Sequence, residues 1–514
     1  LFILLFAMCS LLFQLPSEVF ASTPSDITVK DAIQEHVQDS PELLGANGVS
    51  TFTIGDSTYA IVASYTDDGV QIIDISDPDN IVAKGYAENG VNSFSVLDGP
   101  RGVDTFVIGD STYAIVAVYG TPGNEPSSNP GGVQIIDISD PDNIVAKDWA
   151  SKDYRLNDSS FSGGWDVDTF TIGSSTYAIA TGYINSSVVI IDISNPALIV
   201  MKDHFNDRGT FDTVLRPAGV DTFVIGDSTY AIITSVTDDG VQLVDISDPE
   251  NVVAKGSMDD TDGSLMLDGA MGVDTFTIGD STYAIVASYI DDGVQIIDIS
   301  DPDNIVAKNS QTDGVNSFDE LNDARSVSTF TIGSSTYAIV AAATDDGVQL
   351  IDISDPTAIV AKASATDGVN SFDVLNHAVD VETFTIDGNT YAIVVANEDN
   401  GVQIIELNTD TTGPTVTITS SSGDSGDTVG DTTLSYTVTF SESTSNFVVG
   451  DITVTGTANG SSPEASNFAG SGTTYTFDVV QGSSDGTVSV SVAAGKATDA
   501  VGNDNTVSNT YTFT

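Results

Sequence analysis

Carboxylates are the most abundant groups in this sequence that could do chemistry. Asp and Glu number 74, against 14 Lys and Arg, three His and one Cys. Because His36, His204 and His377 are far apart in the sequence, neither a histidine-based metal site nor a Ser–His–Asp triad has local support. Two carboxylates could hydrolyse a glycosidic bond, but with so many acids such pairs arise by chance. Carboxylates at turns are better suited to calcium, which takes about six to eight oxygen ligands.

The excess of acid also limits the choice of partners. The formal net charge is −60 at pH 7, and this charge repels nucleic acid and the anionic head groups of lipids. We therefore expect no nucleic-acid partner, and the absence of a glycine-rich phosphate loop argues against an organic cofactor. Hydrophobic residues make up 40% of the chain, which is ordinary for a folded protein, and its Val, Ile, Thr and Tyr favour strands.

An internal repeat organises most of the chain. The tetrapeptide TYAI starts at residues 58, 112, 176, 229, 282, 336 and 390. In the unit that begins at Gly272, four candidate strands read GVDTFTIG, STYAIVAS, GVQIIDIS and NIVAK, and in the Asp-Asp-Gly turn between the second and third we expect Gly293 to take positive φ. Four antiparallel strands repeated seven times predict an all-β fold, a seven-bladed β-propeller; a β-solenoid is the alternative, although its rungs are usually shorter.

The two ends of the repeat array complement each other. The last unit ends GVQIIELN at 401–408 and supplies no fourth strand, whereas residues 27–49 have the same length as residues 81–103, which run from a fourth strand to the next first strand. We predict that the N-terminal segment completes blade seven and closes a propeller of residues 22–408. Closure removes the open edge that a linear array would expose.

The repeated (I/V)xDISDPxxIVAK unit resembles the LVIVD repeat of secreted bacterial and archaeal β-propellers. The resemblance covers about 27–408. It implies the propeller fold and an extracellular location, but it does not imply a function, because one fold carries many functions.

The remaining residues, 409–514, predict a second domain. Their composition shifts to Thr, Ser and Gly, and short alternating segments such as LSYTVTF at 434–440 predict an antiparallel β-sandwich. The segments TFSESTSNFVVGDITVTG (439–456) and GKATDAVGNDN (495–505) resemble bacterial Ig-like domains, which occur in tandem on adhesins and other surface proteins. We expect this domain to serve as a stalk, with further copies beyond the end of the present sequence.

The resemblance to Ig-like domains also implies a calcium site. In those domains an Asp at the start and an Asp-x-x-Gly-Asn loop at the end often lie at one pole, where calcium stiffens the junction to the next domain. The matching residues here are Asp410, Asp499 and Asn503. The alternative is that they only cap turns.

A second candidate metal site is a ring of acids at the start of the innermost strands. Five of the seven units carry an acid there, and the other two carry Ser50 and Ser328. The five acids are Asp104, Asp168, Asp221, Asp274 and Glu382. Carboxylates crowded around one channel mouth must bind a cation, spread apart, or raise their pKa values. The alternative is that each carboxylate bonds to the backbone of a neighbouring blade, as part of the repeat.

Residues that differ between the blades are better candidates for ligand recognition. The interblade segments 148–165 and 203–217 concentrate aromatic and Arg side chains, the usual anchors of protein interfaces and sugar sites. The predicted ligand-binding residues are Trp149, Tyr154, Arg155, Trp165, Phe205, Arg208 and Phe211. The alternative is local packing beneath long loops.

The N-terminal residues 1–21 form an apolar run that ends in small residues, and they predict a secretory signal peptide; a short membrane anchor is the alternative. The missing initiator Met predicts that the sequence begins within its gene product. Cys9 is the only cysteine, so the mature chain, from which residues 1–21 have been removed, is expected to have no disulfides. After this cleavage we expect no insertion into a membrane. We expect a secreted or cell-surface, non-enzymatic binding or adhesion protein for an extracellular protein or glycan. The alternatives are a calcium-dependent propeller hydrolase or lactonase with its metal in the central channel, and a structural envelope component.

Overall fold

The computed structural model describes residues 27–35, 42–120, 131–151, 161–206, 211, 213–261, 263–407, 413–444, 446–458, 464–481, 485–499 and 503–514. Within these residues the regular structure consists of β-strands and one 3-10 turn, Val449–Asp451. None of them forms a helix long and apolar enough to span a membrane. Two units separate, residues 26–409 and a unit that contains 410–514, and each is described by itself.

In its described residues, the first unit contains 28 strands in chain order. The bounds of β1 to β14 are Ile27–Gln34, Ala46–Ile54, Ser57–Ser64, Gly69–Asp74, Val82–Glu88, Pro100–Ile108, Ser111–Val118, Gly132–Asp137, Val145–Ala150, Gly164–Ile172, Ser175–Gly182, Ser187–Asp192, Val200–Asn206 and Pro217–Ile225. The bounds of β15 to β28 are Ser228–Ser235, Gly240–Asp245, Val253–Asp259, Ala270–Ile278, Ser281–Ser288, Gly293–Asp298, Val306–Thr312, Ala324–Ile332, Ser335–Ala342, Gly347–Asp352, Val360–Thr366, Ala378–Ile386, Asn389–Ala396 and Gly401–Leu407.

These strands form seven four-stranded antiparallel sheets, the blades of a β-propeller. Blades 1 to 6 each take four consecutive strands, from β2–β5 to β22–β25. Blade 7 consists of β26, β27, β28 and β1, with Ile27 paired to Leu407 and Gln34 to Gly401. The prediction of a seven-bladed propeller closed by its N-terminal strand is therefore confirmed.

The hydrophobic core lies between neighbouring blades. Ile61 and Ile72 of blade 1 pack in one cluster with Val103 and Val116 of blade 2, and all four are buried. Each such aliphatic side chain contributes roughly 1.5–3 kcal/mol by leaving water. The second and third strands of a blade are apolar on both faces because neighbouring blades cover both faces.

A second repeated contact aligns the two inner strands of every blade. Phe52 and Tyr59 are cross-strand partners whose ring centroids lie 5.5 Å apart. The equivalent stacked pairs are Phe106–Tyr113, Phe170–Tyr177, Phe223–Tyr230, Phe276–Tyr283, Phe330–Tyr337 and Phe384–Tyr391. Such pairs add about 0.5–1.5 kcal/mol beyond their burial.

The Asp-Asp-Gly turns differ from the sequence prediction in one respect. The residue with positive φ is the second Asp, as in Asp68 (φ 56°) and Asp292 (φ 51°), and not Gly293. Glycine is required there for space, since a Cβ on Gly293 would lie 2.4 Å from the Gln311 carbonyl oxygen of the adjacent strand. Asp tolerates the left-handed conformation because its short side chain can hydrogen-bond locally.

The second unit is a sandwich of two three-stranded sheets, β29–β30–β32 and β31–β33–β34. The bounds of β29 to β34 are Val416–Ser420, Thr433–Thr444, Ile452–Gly456, Ala465–Val480, Val488–Val492 and Tyr511–Phe513. Tyr436 and Phe477 of the first sheet pack with Phe513 of the second in one buried cluster.

Candidate functional site at the channel mouth

The first strands of the seven blades line a central channel. Its cavity is about 460 Å³ and polar, and all five acids of the predicted ring face it. Two further acids, Asp166 and Asp380, precede Asp168 and Glu382 by two positions and also line it. Alternation along a strand places positions i and i+2 on the same face, so these two acids form a second level of the wall.

Four of the ring carboxylates bond to the next blade. Asp104 Oδ2 accepts hydrogen bonds from Thr169 N at 2.9 Å and from Thr169 Oγ1 at 2.6 Å. The same carboxylate-to-amide bond recurs in Asp168–Thr222 (2.7 Å), Asp221–Thr275 (2.9 Å) and Asp274–Thr329 (2.6 Å). This geometry matches the structural alternative that the sequence left open, in which the repeated acid joins blades.

Other polar groups bridge the remaining junctions. Ser328 Oγ lies 3.0 Å from Thr383 Oγ1 between blades 6 and 7. At the seam where the ring closes, Asp380 Oδ2 accepts a hydrogen bond from Val49 N at 2.8 Å, and its Oδ1 accepts one from Ser326 Oγ at 2.6 Å. Asp380 thereby joins three blades at the point where the two ends of the array meet.

Burial raises the pKa values of the wall acids. It raises the pKa of Asp166 to about 7, and those of Asp274 and Asp380 to about 6. Burial, followed by the charge of Asp380, raises the pKa of Glu382 well above its ordinary value. Hydrogen bonds from the backbone oppose these shifts at Asp166, but they do not cancel them.

The residues predicted to bind metal differ in how they are placed. In the part of the chain that the structure describes, no three His, Cys, Asp or Glu side chains lie in an arrangement that could hold a metal ion. In the second unit, Asp499 Oδ1 accepts a hydrogen bond from Asn503 N at 2.9 Å, and Asp499 Oδ2 accepts one from Asn503 Nδ2, also at 2.9 Å. Asp410 lies outside the described residues. Calcium binding at either place stays a prediction.

Above the acid wall, a pocket of about 110 Å³ occupies the channel mouth. Arg101 and Arg325 line it from the second residues of β6 and β22, together with Trp165, the second residue of β10. Asp166 and Asp380 line both this pocket and the channel. The pocket is therefore continuous with the channel and differs from it in carrying guanidinium and aromatic groups.

Aromatic rings enclose the Arg101 guanidinium. Its central carbon lies 4.1 Å from the Trp165 ring centroid, 4.5 Å from that of Tyr65 and 5.0 Å from that of Tyr119. The Trp165 indole also stacks on Tyr183 at 4.5 Å, so the indole lies between Tyr183 and the guanidinium. Cation–π contacts of this kind contribute about 0.5–2 kcal/mol each and hold the guanidinium in one orientation.

Two further arginines lie over tyrosines on this face. The Arg325 guanidinium carbon is 5.0 Å from the Tyr289 ring centroid, and its Nε lies 2.5 Å from Asp323 Oδ1. The Arg216 guanidinium carbon is 5.5 Å from the centroid of Tyr183. All three described arginines of the chain thus pack on aromatic rings near the channel mouth.

Sequence reasoning missed the tyrosines, Arg101 and Arg325. The tyrosines directly follow the second strand of their blades, where the other blades carry Val236, Ala343 and Asn397; they are Tyr65, Tyr119, Tyr183 and Tyr289. Because strand two ends beside the start of strand one, this variable position faces the mouth. The available signal was that the propeller lysines occupy mainly fourth strands, whereas every arginine lies in or beside an interblade segment.

The predicted ligand-binding residues separate in the structure. Trp165 lies at the mouth, but Trp149 is on β9, the outermost strand of blade 2, and packs against the core between blades 1 and 2. Phe205 and Phe211 stack on each other at 4.4 Å within the cluster between blades 3 and 4. Local packing, the alternative to ligand binding, therefore describes these two. Tyr154, Arg155 and Arg208 lie outside the described residues.

The aspartates of the Asp-Asp-Gly turns accept hydrogen bonds from the segments that lead into the first strands, on which the mouth residues lie. Asp67 Oδ2 accepts a hydrogen bond from Leu44 N at 2.7 Å within blade 1. Asp68 Oδ1 accepts one from Gly99 N at 2.9 Å, at the entrance to blade 2 and two residues before Arg101. The loops at 291–292 and 345–346 repeat this pattern. These carboxylates fix the entry of each first strand.

Two known protein families match parts of this chain. The model of the LVIVD repeat matches residues 57–87, 182–207 and 334–367, and the model of a bacterial Ig-like domain matches residues 410–514. The chain carries LVIVD repeats and a bacterial Ig-like domain. Both resemblances drawn from the sequence are confirmed. Among curated proteins, no sequence matches the chain.

Solved structures with similar folds share little sequence with this chain. A functionally unknown protein from Desulfotomaculum acetoxidans is 12% identical, with a TM-score of 0.40, over 61% of this chain and 85% of its own. A Lactobacillus plantarum protein is 10% identical, with a TM-score of 0.44, over 70% and 98%. The periplasmic gluconolactonase of Pseudomonas aeruginosa is 10% identical, with a TM-score of 0.46, over 63% and 85%. At these TM-scores the similarity carries no inference about function.

Proposed function

We propose that this chain is a secreted or cell-surface binding protein whose propeller takes an extracellular ligand, a glycan or a protein, at the channel mouth. The Ig-like domain serves as its stalk. The observation that supports this is the convergence of arginine and aromatic side chains, from several blades, on one small pocket. The apolar segment of residues 1–21 supports the extracellular location.

The arrangement suits binding because the side chains are already held in place. The aromatic rings and the loop carboxylates fix the pocket side chains before a ligand arrives. Preorganisation of this kind improves affinity because little side-chain entropy is lost on association. Arg and Trp are also the residue types that dominate binding energy at interfaces.

Binding can be tested with the purified chain on arrays of glycans and of extracellular proteins. We expect at least one class of ligand to bind the wild-type chain and to lose affinity when Trp165 is replaced by Ala. The matched control is Trp149→Ala, which removes an equal side chain from the outer strand. Ligand binding that is insensitive to Trp165→Ala would contradict the assignment to the mouth.

A hydrolase or lactonase is the second candidate, and the raised pKa values of the wall acids favour it. A carboxyl group with a pKa of about 7, as in Asp166, is suited to general acid–base catalysis near neutral pH. Hydrolysis of lactones and glycosides, with calcium and with chelator, tests this candidate. Turnover that disappears in Asp166→Asn would favour it over a purely binding role.

A further inference from the structure

The Arg101 guanidinium carries an uncompensated charge. Its Nε is buried without a hydrogen-bond partner, and no carboxylate of the described residues forms an ion pair with it. Burial lowers the pKa of Arg101, and nearby Tyr65 and Tyr119 oppose this shift. Tyr65 also forms a side-chain hydrogen bond with this guanidinium. A buried cation without a carboxylate partner is still costly, and its unbonded Nε leaves a donor for a ligand.

A second cation approaches the same pocket. Arg325 lies close enough for its charge to lower the pKa of Arg101 further. Two guanidinium groups facing one cavity of about 110 Å³ repel each other unless an anion lies between them. Arg325 is already paired with Asp323, so Arg101 is the cation that lacks a partner.

The acids that line the pocket do not supply the missing partner. Asp166 directs its carboxylate oxygens to Val167 N (2.9 Å) and Val220 N (3.0 Å). Asp380 is likewise committed to Val49, Ser326 and its own strand. Groups of their own strands and of neighbouring blades therefore already engage the oxygens of both carboxylates.

We propose that the channel mouth binds a single carboxylated sugar at the end of a glycan, with its carboxylate between Arg101 and Arg325. Resting on the binding function proposed above, this inference specifies its ligand. Guanidinium groups match carboxylates with paired N–H donors. The neighbouring polar groups, among them Asn47 and Ser326, suit the hydroxyls of a sugar ring, and Met271 offers an apolar surface for its C–H face.

The surroundings of the pocket favour one terminal charge over a polyanion. The turn aspartates lie on the same face as the mouth, and Asp68 is bonded to the segment that carries Arg101. We call these turn aspartates the acidic collar. A chain of many carboxylates or sulfates would be repelled by this collar and by the net charge of −60. A single terminal carboxylate avoids most of this repulsion. An acidic protein would need roughly 800 Å² of complementary surface on each partner, across the same collar.

The test uses the full chain with Trp149→Phe as background, which leaves Trp165 as the only tryptophan, so that its fluorescence reports on the mouth. D-glucuronate, D-glucose, acetate and a short polygalacturonate are titrated, together with a peptide that ends in a free carboxylate. We expect glucuronate to bind, glucose to bind at least about tenfold more weakly, and acetate and polygalacturonate to bind more weakly than glucuronate.

Arg101→Gln should weaken glucuronate binding by about tenfold or more. Arg216→Gln is the matched control, because it removes one arginine charge from the same face but outside the pocket, and it should change affinity less than about twofold. Thermal unfolding of both variants shows whether the fold persists. If Arg101→Gln unfolds, Arg325→Gln replaces it, with the same loss expected.

The possible failures are distinguishable. A neutral glycan that binds at the mouth regardless of Arg101 overturns the carboxylate inference and leaves the binding function standing. If acetate and glucuronate bind equally well, the inference that the site recognises a sugar ring is wrong. If the peptide binds more tightly than glucuronate, the inference that the ligand is a glycan is wrong. A wild-type chain that binds neither these probes nor any glycan or protein on the arrays overturns both the inference and the proposed function.

Discussion

The wall and the mouth of the channel share lining residues such as Asp166 and Asp380, yet they use the repeat in opposite ways. The wall is built from a position that carries an acid in most blades, and its carboxylates bond to the next blade, as Asp104 does to Thr169. The mouth is built from positions that differ between blades, such as Arg101 and Trp165. The comparison teaches that repetition here serves ring closure, whereas variation creates a pocket with its own chemistry.

The largest expected effect concerns the close approach of blades along the wall. A Cβ on Gly272 would lie 2.6 Å from the Arg325 carbonyl oxygen in the next blade, so Gly272→Ala should lower the free energy of unfolding by about 3 kcal/mol. Gly279→Ala in the same blade is the control; it meets open space and should cost only about 1 kcal/mol for its positive φ. If denaturant unfolding showed that the two variants lose equal amounts of unfolding free energy, close packing at the wall would be contradicted.

The two tryptophans separate stability from binding. Trp149 packs against the core between blades 1 and 2, so Trp149→Ala should lower the free energy of unfolding by about 2 kcal/mol without changing ligand affinity. Trp165→Ala should reduce affinity for the array ligand and cost less stability. If both variants lost affinity alike, the two residues would belong to one site, as the sequence suggested.

A single wall carboxylate should matter for stability alone. Asp168→Ala removes the acceptor of Thr222 N and should cost about 1–2 kcal/mol of unfolding free energy, moderated by water in the channel. Ligand affinity should stay within about twofold of wild type. Arg101→Gln is the reciprocal variant, since it should weaken binding with little change in stability. A loss of affinity in Asp168→Ala would indicate that the wall takes part in the site.

The wall should also make stability depend on pH. Burial raises the folded-state pKa of Asp166 from 3.8 to about 7, so the folded protein holds this proton more tightly than the unfolded chain. The resulting stabilisation is complete below about pH 4 and is lost as the pH rises through about 7. We expect the free energy of unfolding to fall by about 1–2 kcal/mol between about pH 6 and about pH 8.

Asp166→Asn should flatten this pH dependence in thermal or denaturant unfolding. Asp137→Asn is the control, because Asp137 lies outside the channel and pairs with Lys147 at 2.9 Å. If the unfolding free energy of Asp166→Asn depended on pH as that of the wild type does, Asp166 would not be the cause of this dependence.

Calcium should have the smallest effect. The ring carboxylates are engaged with backbone amides, so we expect calcium or chelator to leave the unfolding of the propeller unchanged. Calcium at about ten times its dissociation constant would stabilise the Ig-like domain by about 1.4 kcal/mol if the pole of Asp499 and Asn503 binds it. Calorimetry of the full chain measures both transitions, and a calcium shift in the propeller would return the metal to the channel.

The sequence by itself determined the number of blades, the strand pattern and the role of the N-terminal strand. These features are local or periodic: a hairpin turn, an alternating strand and a missing fourth strand can all be read without knowing which residues meet in space. The same holds for the Ig-like domain. The Asp-Asp-Gly turns were also recognised from the sequence, but the residue with positive φ is the second Asp, and the glycine is needed for clearance.

Only the tertiary structure decided which residues form the mouth. Tyr65 and Trp165 are a hundred positions apart, in blades 1 and 3, and they meet because both contact Arg101 of blade 2. Trp149 is much nearer to Trp165 in the sequence, but it lies on the outermost strand of its blade, whereas Trp165 begins an innermost one. Order around the ring and position within a blade, rather than distance along the chain, determine which side chains meet at the channel.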